Sequence, residues 1–179
     1  MSPTPASADR LGDPLLLTRR FAAPRALVFV AFTQAEHLHH WMSPQGMTMS
    51  HCSVDLRPGG HFHYALSGPG GSTLWGKWTF REIIAPERLV VVVQFSDEAG
   101  GMSQNPFTPV WPATTLSTTT FADDGDGTLI TLRWQPLNAS DAEQQVFDSW
   151  HASMQMGWGG TFDHLDAHLA ACVAAGRKG

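Results

Sequence analysis

Hydrophobic and polar residues alternate in short runs through the middle of the chain, from residue 47 to residue 134. Alternation at every second residue is the pattern of a β-strand with one buried face, and Gly- and Pro-rich turns separate the runs. The predicted strands are Leu15–Phe21, Met47–Asp55, His61–Leu66, Thr73–Ile83, Leu89–Ser96, Thr114–Phe121 and Thr128–Trp134. The last six follow one another through short turns, which predicts an antiparallel meander.

Apolar residues recur at helical spacing on either side of this region. A short helix is predicted to begin at Pro24, and a second one runs from Ala35 to Trp41. Near the end of the chain, Ser140 and Glu143 match a capping box that would begin a long helix. Its apolar stripe advances in steps of three or four residues: Val146, Trp150, Met154, Trp158, Phe162, Leu165, Leu169 and Val173.

This order of elements predicts an α+β helix-grip fold, in which a curved antiparallel sheet with two short helices holds a long C-terminal helix. Three glycines within that helix, at positions 157, 159 and 160, are expected to let it approach the sheet closely, with a kink as the alternative. A single domain is predicted over residues 14–175, with a disordered lead-in at 1–13 and a short tail at 176–179. A strongly twisted sheet of this size curls, so we expect a cavity between sheet and helix.

The alternation also predicts which side chains line that cavity. The candidate ligand-binding residues are Trp41, Phe62, Tyr64, Trp78, Phe95, Thr119, Trp134, Met154 and Trp158. Among them Thr119 is unusual, because it and Ser117 share the parity of the apolar Phe121. Either their hydroxyls are polar anchors for a ligand, or the two residues are present only because Thr is common in β-strands.

Composition narrows the classes of function. The 179 residues are 42% hydrophobic and only 15% charged, which excludes a disordered protein, and the net charge of −5 argues against nucleic acid or an anionic membrane as a partner.

No apolar run approaches the roughly 20 residues of a membrane span, and the first residues lack the apolar stretch of a secretory signal. With Cys52 and Cys172 as the two cysteines, we expect no disulfide and a cytoplasmic location. Seven Trp and ten Phe require a large core or a large apolar pocket.

Six stretches of the sequence, in order along the chain, resemble one protein family. They are Arg20-Phe21-x-Ala23-Pro24-x-x-x-Val28-Phe29-x-Ala31, His37-Leu38-x-x-Trp41, Asp55-Leu56-Arg57-Pro58-Gly59-Gly60-x-Phe62, Gly76-x-Trp78-x-Phe80-x-Glu82-Ile83-x-x-Pro86-Glu87-Arg88-Leu89, Gly127-Thr128-x-Ile130-Thr131-Leu132 and Gly157-Trp158-x-x-x-Phe162-x-x-Leu165. The chain is similar to bacterial proteins related to the C-terminal domain of the eukaryotic heat-shock ATPase activator, within the START and birch-pollen-allergen-like superfamily. The resemblance runs from Leu15 to Leu169.

The resemblance implies a helix-grip fold with a ligand cavity, and it implies little about function because one fold hosts many activities. The segment Asp97–Ala113 is longer than the family usually shows, and loops of this length are often lids or binding loops. Met42-Ser43-Pro44 stands where relatives commonly have a second aromatic residue. The activator's partner-binding N-terminal domain is absent from the sequence, so we do not expect co-chaperone activity.

Nine histidines raise the question of a metal site. His61 and His63 could chelate an ion together with His51 on the adjacent strand, but we expect them on a solvated face, opposite Phe62 and Tyr64. The remaining candidates, His164 and His168 on the last helix and His37, His39 and His40 on the second, are likewise expected at the surface. We therefore predict no metal and no cofactor.

Two classes of function fit these observations. The first is non-catalytic binding of a hydrophobic aromatic or acyl small molecule, as a carrier or a stress-related sensor. The second is a cyclase- or hydratase-type enzyme, which needs an acid–base group in the pocket. The candidates are a histidine of the 37–40 cluster and Glu82, whose position in the alternation of β-strand residues points it inward. The alternative role of Glu82 is an ion pair with Arg57. We favour binding, because the predicted interior is aromatic and poor in titratable groups. A chaperone-binding domain is a third alternative, and a homodimer is left open.

Overall fold

The computed structural model describes residues 8–176, which form a single seven-stranded antiparallel sheet with helices packed on one side. The strands are β1 (Leu15–Phe21), β2 (Thr48–Val54), β3 (His61–Ser67), β4 (Thr73–Ile84), β5 (Arg88–Phe95), β6 (Thr115–Asp124) and β7 (Gly127–Pro136). Their order across the sheet is β1-β7-β6-β5-β4-β3-β2. The predicted meander is confirmed, and β1 extends it by pairing with β7.

The helices are α1 (Arg25–Thr33), α2 (Ala35–Trp41), α3 (Asp141–Ser149) and α4 (His151–Gly176), with one short 3₁₀ turn at Pro69–Gly71. The first pair connects β1 to β2, and the second pair follows β7. Because α4 packs against α1, α2 and β1, it lies across the inner face of the sheet. The predicted α+β, helix-grip-like fold class is confirmed. None of the described helices is long and apolar enough to cross a membrane.

The core fills the space between the inner face of the sheet and α1, α2 and α4. Its largest fully buried side chains are Trp41, Phe21, Phe32, Phe62 and Phe80, whereas Phe147 of α3 belongs to a smaller cluster with Leu15 and Met154. Several aromatic pairs meet edge to face, such as Phe21 with Phe162 of α4 at 5.9 Å between ring centroids. This geometry is favoured because the positive edge of one ring meets the negative face of the other.

A β-bulge in β4 corrects the orientation predicted for Glu82. Phe80 pairs with Val91, but Glu82 pairs with Val90, so one extra residue is accommodated at position 81. The extra residue reverses the parity of the strand beyond it and turns Glu82 away from the inner face. Its carboxylate lies 3.2 Å from the guanidinium of Arg88. The partner considered from the sequence, Arg57, instead pairs with Asp55.

The long C-terminal helix is divided into two, which corrects the continuous stripe predicted from Ser140 onward. The capping box at Ser140 and Glu143 is present, but the helix that it begins ends at Ser149, and a new helix starts at His151. Between them, Trp150 is 37% exposed and lies off the buried stripe. The stripe is buried within α4, where its members are Met154, Phe162, Leu165 and Leu169.

The three glycines of α4 do not serve the close approach to the sheet that the sequence suggested. A Cβ atom added at Gly157, Gly159 or Gly160 would meet no atom within 4 Å, apart from the helix's own nearby backbone. The helix also passes through all three without interruption. These glycines therefore leave open space beside α4.

The segment before β1 contacts the sheet and α3 from Asp9 onward. The carboxylate of Asp9 accepts a hydrogen bond from Arg81, Arg10 forms an ion pair with Asp141, and Leu11 forms an isolated bridge with Leu137. The disordered lead-in over residues 1–13 remains a prediction. Its first seven residues, and residues 177–179 of the predicted tail, lie outside the described part of the chain.

Candidate functional site

A cavity of about 270 Å³, here called the outer chamber, lies between the sheet and α4. Its wall includes Leu66, Leu74, Phe95, Trp111, Pro112, Thr115, Met154, Gly157 and Thr161. A second space of about 90 Å³, the inner chamber, is lined by residues that include Phe32, Trp78, Leu89, Val91, Ser117, Thr119 and Leu132. The two chambers share the wall residues Met42, Tyr64, Val93, Trp134 and Trp158. They therefore adjoin each other and form one two-part site.

Seven of the nine predicted ligand-binding residues lie on these walls. Trp78 and Thr119 line the inner chamber, Phe95 and Met154 line the outer one, and Tyr64, Trp134 and Trp158 line both.

The other two predicted residues, Trp41 and Phe62, belong to the packed core instead. The indole N–H of Trp41 donates a hydrogen bond to the carbonyl oxygen of Ala31 at 2.8 Å, and its ring packs on Phe32. Phe62 stacks on Tyr64 at 4.8 Å, behind the cavity wall. Both side chains are fully buried. Alternation identified the buried face of each element, but it carries no information on which buried side chains border a void.

The loop between β5 and β6 supplies wall residues that the sequence did not assign to the cavity. Trp111 of this loop lies 6.5 Å from Trp134, 5.6 Å from Phe147 and 6.0 Å from Trp150, measured between ring centroids. Trp111 thus continues the aromatic wall across the end of the outer chamber. The signal available in the sequence was the length of this loop and its combination of proline with aromatic residues.

Tyr64 places a neutral phenol in the wall of both chambers. Its ring lies over Gly76 of the neighbouring strand, where an added Cβ would stand only 2.4 Å from the phenol oxygen. Burial raises the pKa of Tyr64 to about 12, and the nearby indole of Trp78 opposes this rise. The phenol is therefore protonated at neutral pH and can donate a hydrogen bond to a ligand.

Three hydroxyls on β6 add polarity to the same interior. Thr115 Oγ1 accepts a hydrogen bond from the indole N–H of Trp134 at 2.7 Å. Ser117 and Thr119 are 8% and 4% exposed, and both line the inner chamber. The face of β6 that carries these hydroxyls therefore points inward. This orientation is the one that the interpretation as polar anchors for a ligand requires.

The walls of both chambers, as the described residues form them, carry no charged side chain. Within residues 8–176, no wall residue of either chamber is Asp, Glu, Lys, Arg or His. Glu82, the carboxylate considered for acid–base chemistry, is turned away from the inner face and paired with Arg88. The arrangement can bind and orient an uncharged molecule, whereas among the described wall residues only hydroxyl groups are available for proton transfer.

His63, His37 and His168 are less exposed than the sequence predicted, whereas His39, His40 and His164 are exposed as expected. His63 is only 8% exposed and stacks on Trp75 at 4.9 Å, and its Nε2 lies 3.1 Å from the carbonyl oxygen of Asp97. The loop after β5 therefore covers this part of the outer face. On the helices, His37 and His168 are half-buried and in contact, with Cys172 beside them. These three residues could hold a metal ion.

Lowering the pH is expected to destabilise the protein in part through His63. Burial lowers the pKa of its imidazole from the ordinary value of 6.5, the hydrogen bond with the Asp97 backbone opposes this, and His51, Lys77 and His61 add smaller lowering contributions. The unfolded chain therefore takes up this proton at a higher pH than the folded one, so stability present above pH 6.5 is lost as the pH falls through and below that value. The thermal midpoint, followed by circular dichroism from about pH 8 to about pH 5, should fall less steeply in His63→Gln. Equal steepness in both proteins would contradict this expectation.

Comparison with known proteins agrees with the fold. Residues 22–170 match the family model described as Activator of Hsp90 ATPase homolog 1-like protein. No curated protein matches the chain in sequence.

Solved structures of bacterial proteins superimpose over most of the chain. A crystal structure of a Nitrosomonas europaea protein is 24% identical with a TM-score of 0.71, covering 90% of this chain and 96% of that one. A Rhodobacter sphaeroides protein is 22% identical with a TM-score of 0.73, covering 90% and 98%. A Mycobacterium smegmatis protein is 25% identical with a TM-score of 0.68, covering 91% and 99%. This likeness concerns the fold.

Proposed function

The chain belongs to the family of Activator of Hsp90 ATPase homolog 1-like proteins, and from this premise we propose that it binds an uncharged, mainly apolar small molecule between its sheet and α4. Binding takes place without chemical conversion, as in a carrier or a sensor. The observation that carries the proposal is the two-part cavity, whose described wall residues are mainly aromatic and aliphatic, with a few hydroxyls and no charged side chain. Small-molecule sites typically combine apolar walls with a small number of placed polar groups.

The dimensions of the cavity favour a small, flat ligand. The outer chamber, at about 270 Å³, lies near the lower end of the range for small-molecule sites, and aromatic rings border it from the sheet, from α4 and from the loop. An aromatic ring system or a bent acyl chain would replace water against these rings and gain about 25 cal/mol for each Å² of apolar surface buried.

The polar groups favour a ligand with a hydrogen-bonding oxygen or nitrogen. The phenol of Tyr64 can donate to an acceptor at the junction of the chambers, and Ser117 and Thr119 can donate or accept in the inner chamber. A fully ionised group would lose its hydration there without meeting an opposite charge, which is strongly unfavourable. We therefore infer a neutral ligand rather than a fatty-acid carboxylate.

Two matched fluorophores test this proposal. N-phenyl-1-naphthylamine is neutral and flat, and 8-anilinonaphthalene-1-sulfonate carries the same rings with one added charge. We expect the neutral compound to quench the tryptophan emission saturably and to raise the melting temperature, as a ligand of the folded state does; about 2.7 kcal/mol is gained at a ligand concentration 100 times Kd. The sulfonate should bind more weakly. Absence of saturable quenching and of any thermal shift with both compounds would reject a ligand-binding cavity.

Gly157 offers a way to close the outer chamber without disturbing the core. It lines that chamber, and a Cβ at this position meets no neighbouring atom within 4 Å. We expect Gly157→Leu to fill space that the ligand needs, so that affinity for N-phenyl-1-naphthylamine falls at least about tenfold, while replacing a helical glycine maintains or raises stability, by up to about 1 kcal/mol.

The matched control is Gly159→Leu, two residues further along the same helix. Its Cβ also meets open space, but Gly159 is not among the wall residues of either chamber. It should gain similar helix stability and keep wild-type affinity. If both variants bind the fluorophore as the wild type does, the binding site lies elsewhere.

A further inference from the structure

A cluster of metal-ligand side chains lies between α2 and α4, separate from the cavity just described. His37 of α2 and His168 of α4 approach to 2.9 Å between Nδ1 and Nε2. Cys172 lies one turn beyond His168 on α4, with its Sγ 3.7 Å from the same Nε2. The three ligand atoms all lie within 4.8 Å of one another. From this juxtaposition we propose that His37, His168 and Cys172 bind one Zn²⁺ ion that joins α2 to α4.

The spacing of the three atoms suits tetrahedral zinc. With usual Zn–N and Zn–S bond lengths, the ligand atoms of a tetrahedral site stand about 3.3 Å apart for two nitrogens and about 3.6 Å apart for nitrogen and sulfur. The observed 2.9 Å and 3.7 Å are close to these values, and His37 Nδ1 and Cys172 Sγ, which lie within 4.8 Å of each other, approach by side-chain rotation when the ion binds. Two imidazoles with a thiolate form a borderline-soft donor set, which favours Zn²⁺ over Mg²⁺ or Ca²⁺.

The surroundings provide a fourth position and hold the ligands in place. An open cleft lined by His40, His164 and His168 adjoins the cluster, so a water molecule can reach the ion from solvent. His40 stacks on the ring of His168 with 5.2 Å between centroids and limits its rotation. All three ligands project from helices that pack together.

Binding has a defined proton balance. Without metal, one of the two facing imidazole nitrogens carries the hydrogen of the His37–His168 hydrogen bond. When Zn²⁺ binds, the imidazole that donates this hydrogen bond changes tautomer: its hydrogen moves to the other ring nitrogen, and the freed nitrogen binds the ion. This change releases no proton. The Cys172 thiol loses its proton and binds as the thiolate. One proton is therefore released for each ion bound, from the sulfur.

The test uses untagged, reduced protein stripped of metal with a chelator. Zn²⁺ is titrated against a chromogenic competitor, and the proton release is measured by calorimetry in buffers of different ionisation enthalpy. We expect one equivalent of Zn²⁺, one proton released per ion, and a higher melting temperature. Absence of binding, or stoichiometry well below one, would show that the cluster is only a hydrogen-bonded histidine pair and would overturn the proposal.

Variants locate the ion. His168→Ala and Cys172→Ser should each weaken binding more than about 100-fold, since even groups that merely orient a ligand contribute about 10- to 100-fold. His39→Ala and Cys52→Ser are the controls, because they remove an exposed histidine of α2 and the other thiol, and they should bind as the wild type does. Co²⁺ gives a second measurement through its thiolate charge-transfer absorption, which Cys172→Ser should abolish. Wild-type affinity in both ligand variants would overturn the site.

Discussion

Replacing Trp41 with alanine should reduce the free energy of unfolding by about 3–5 kcal/mol, a large part of the 5–15 kcal/mol typical of a domain. Trp41 is fully buried, and its ring packs on Phe32 at 4.8 Å. Its indole N–H also donates to the carbonyl oxygen of Ala31, one of the last four carbonyls of α1, which have no partner within the helix. The alanine variant therefore loses the packing of the indole and leaves a void. It also loses the hydrogen bond to the Ala31 carbonyl at the C-terminal end of α1. Urea unfolding followed by fluorescence or circular dichroism measures the loss.

Trp41→Phe separates the two contributions. Phenylalanine keeps most of the aromatic volume but cannot donate to Ala31, so we expect a smaller loss of about 1–3 kcal/mol from the unpaired carbonyl and the remaining space. Neither variant should change the affinity for N-phenyl-1-naphthylamine, because Trp41 is not among the residues that line the two chambers. A loss below about 1 kcal/mol in the alanine variant would show that α1 and α2 do not depend on this residue.

Replacing Trp158 with alanine should have the opposite profile, with a large effect on ligand affinity and a smaller one on stability. Trp158 lines both chambers and is only half-buried, with Trp134 and Phe162 as its aromatic neighbours. A ligand loses an aromatic contact of about 0.5–1.5 kcal/mol together with the apolar burial against the indole. We expect Kd for N-phenyl-1-naphthylamine to rise about tenfold or more. Since the indole already borders open space, the loss of stability should be smaller than in Trp41→Ala.

Met156→Ala is the matched control for Trp158. Met156 lies on the same helix, is 79% exposed and is not a wall residue of either chamber, so its removal should change neither affinity nor stability appreciably. The measurement is a titration of the fluorophore's own emission, which does not depend on the tryptophan that has been removed. Unchanged affinity in Trp158→Ala would place the ligand outside the two chambers.

The strands and the direction of most of their side chains could be predicted from the sequence alone. Alternation and turn residues are local properties, and they marked all seven strands as well as the capping box at Ser140. The inward face of β5 followed from the same alternation, and its residues Leu89, Val91, Val93 and Phe95 all line the cavity. These features depend on near neighbours in the chain, so a single sequence contains them.

Glu82 shows where local alternation is insufficient. A bulge depends on how two strands pair, and the extra residue at position 81 is visible only when β4 is set against β5. The division of the C-terminal helix at Trp150 also could not be predicted from local pattern, because the apolar periodicity continues through this residue. In the folded protein, the loop residue Trp111 packs against Trp150 at the break between α3 and α4.

The tertiary structure alone decided which aromatic side chains fill the core and which surround empty space. Trp41 and Trp158 look alike in sequence, as apolar members of helical stripes, yet one is enclosed by α1 and the other borders both chambers. The zinc ligands are equally non-local, since His37 and His168 are 131 residues apart. Hydrophobic patterning determined the fold because burial requires only an apolar face. Cavities and ligand clusters depend on distances between elements far apart in the chain, and those distances exist only after the elements have packed.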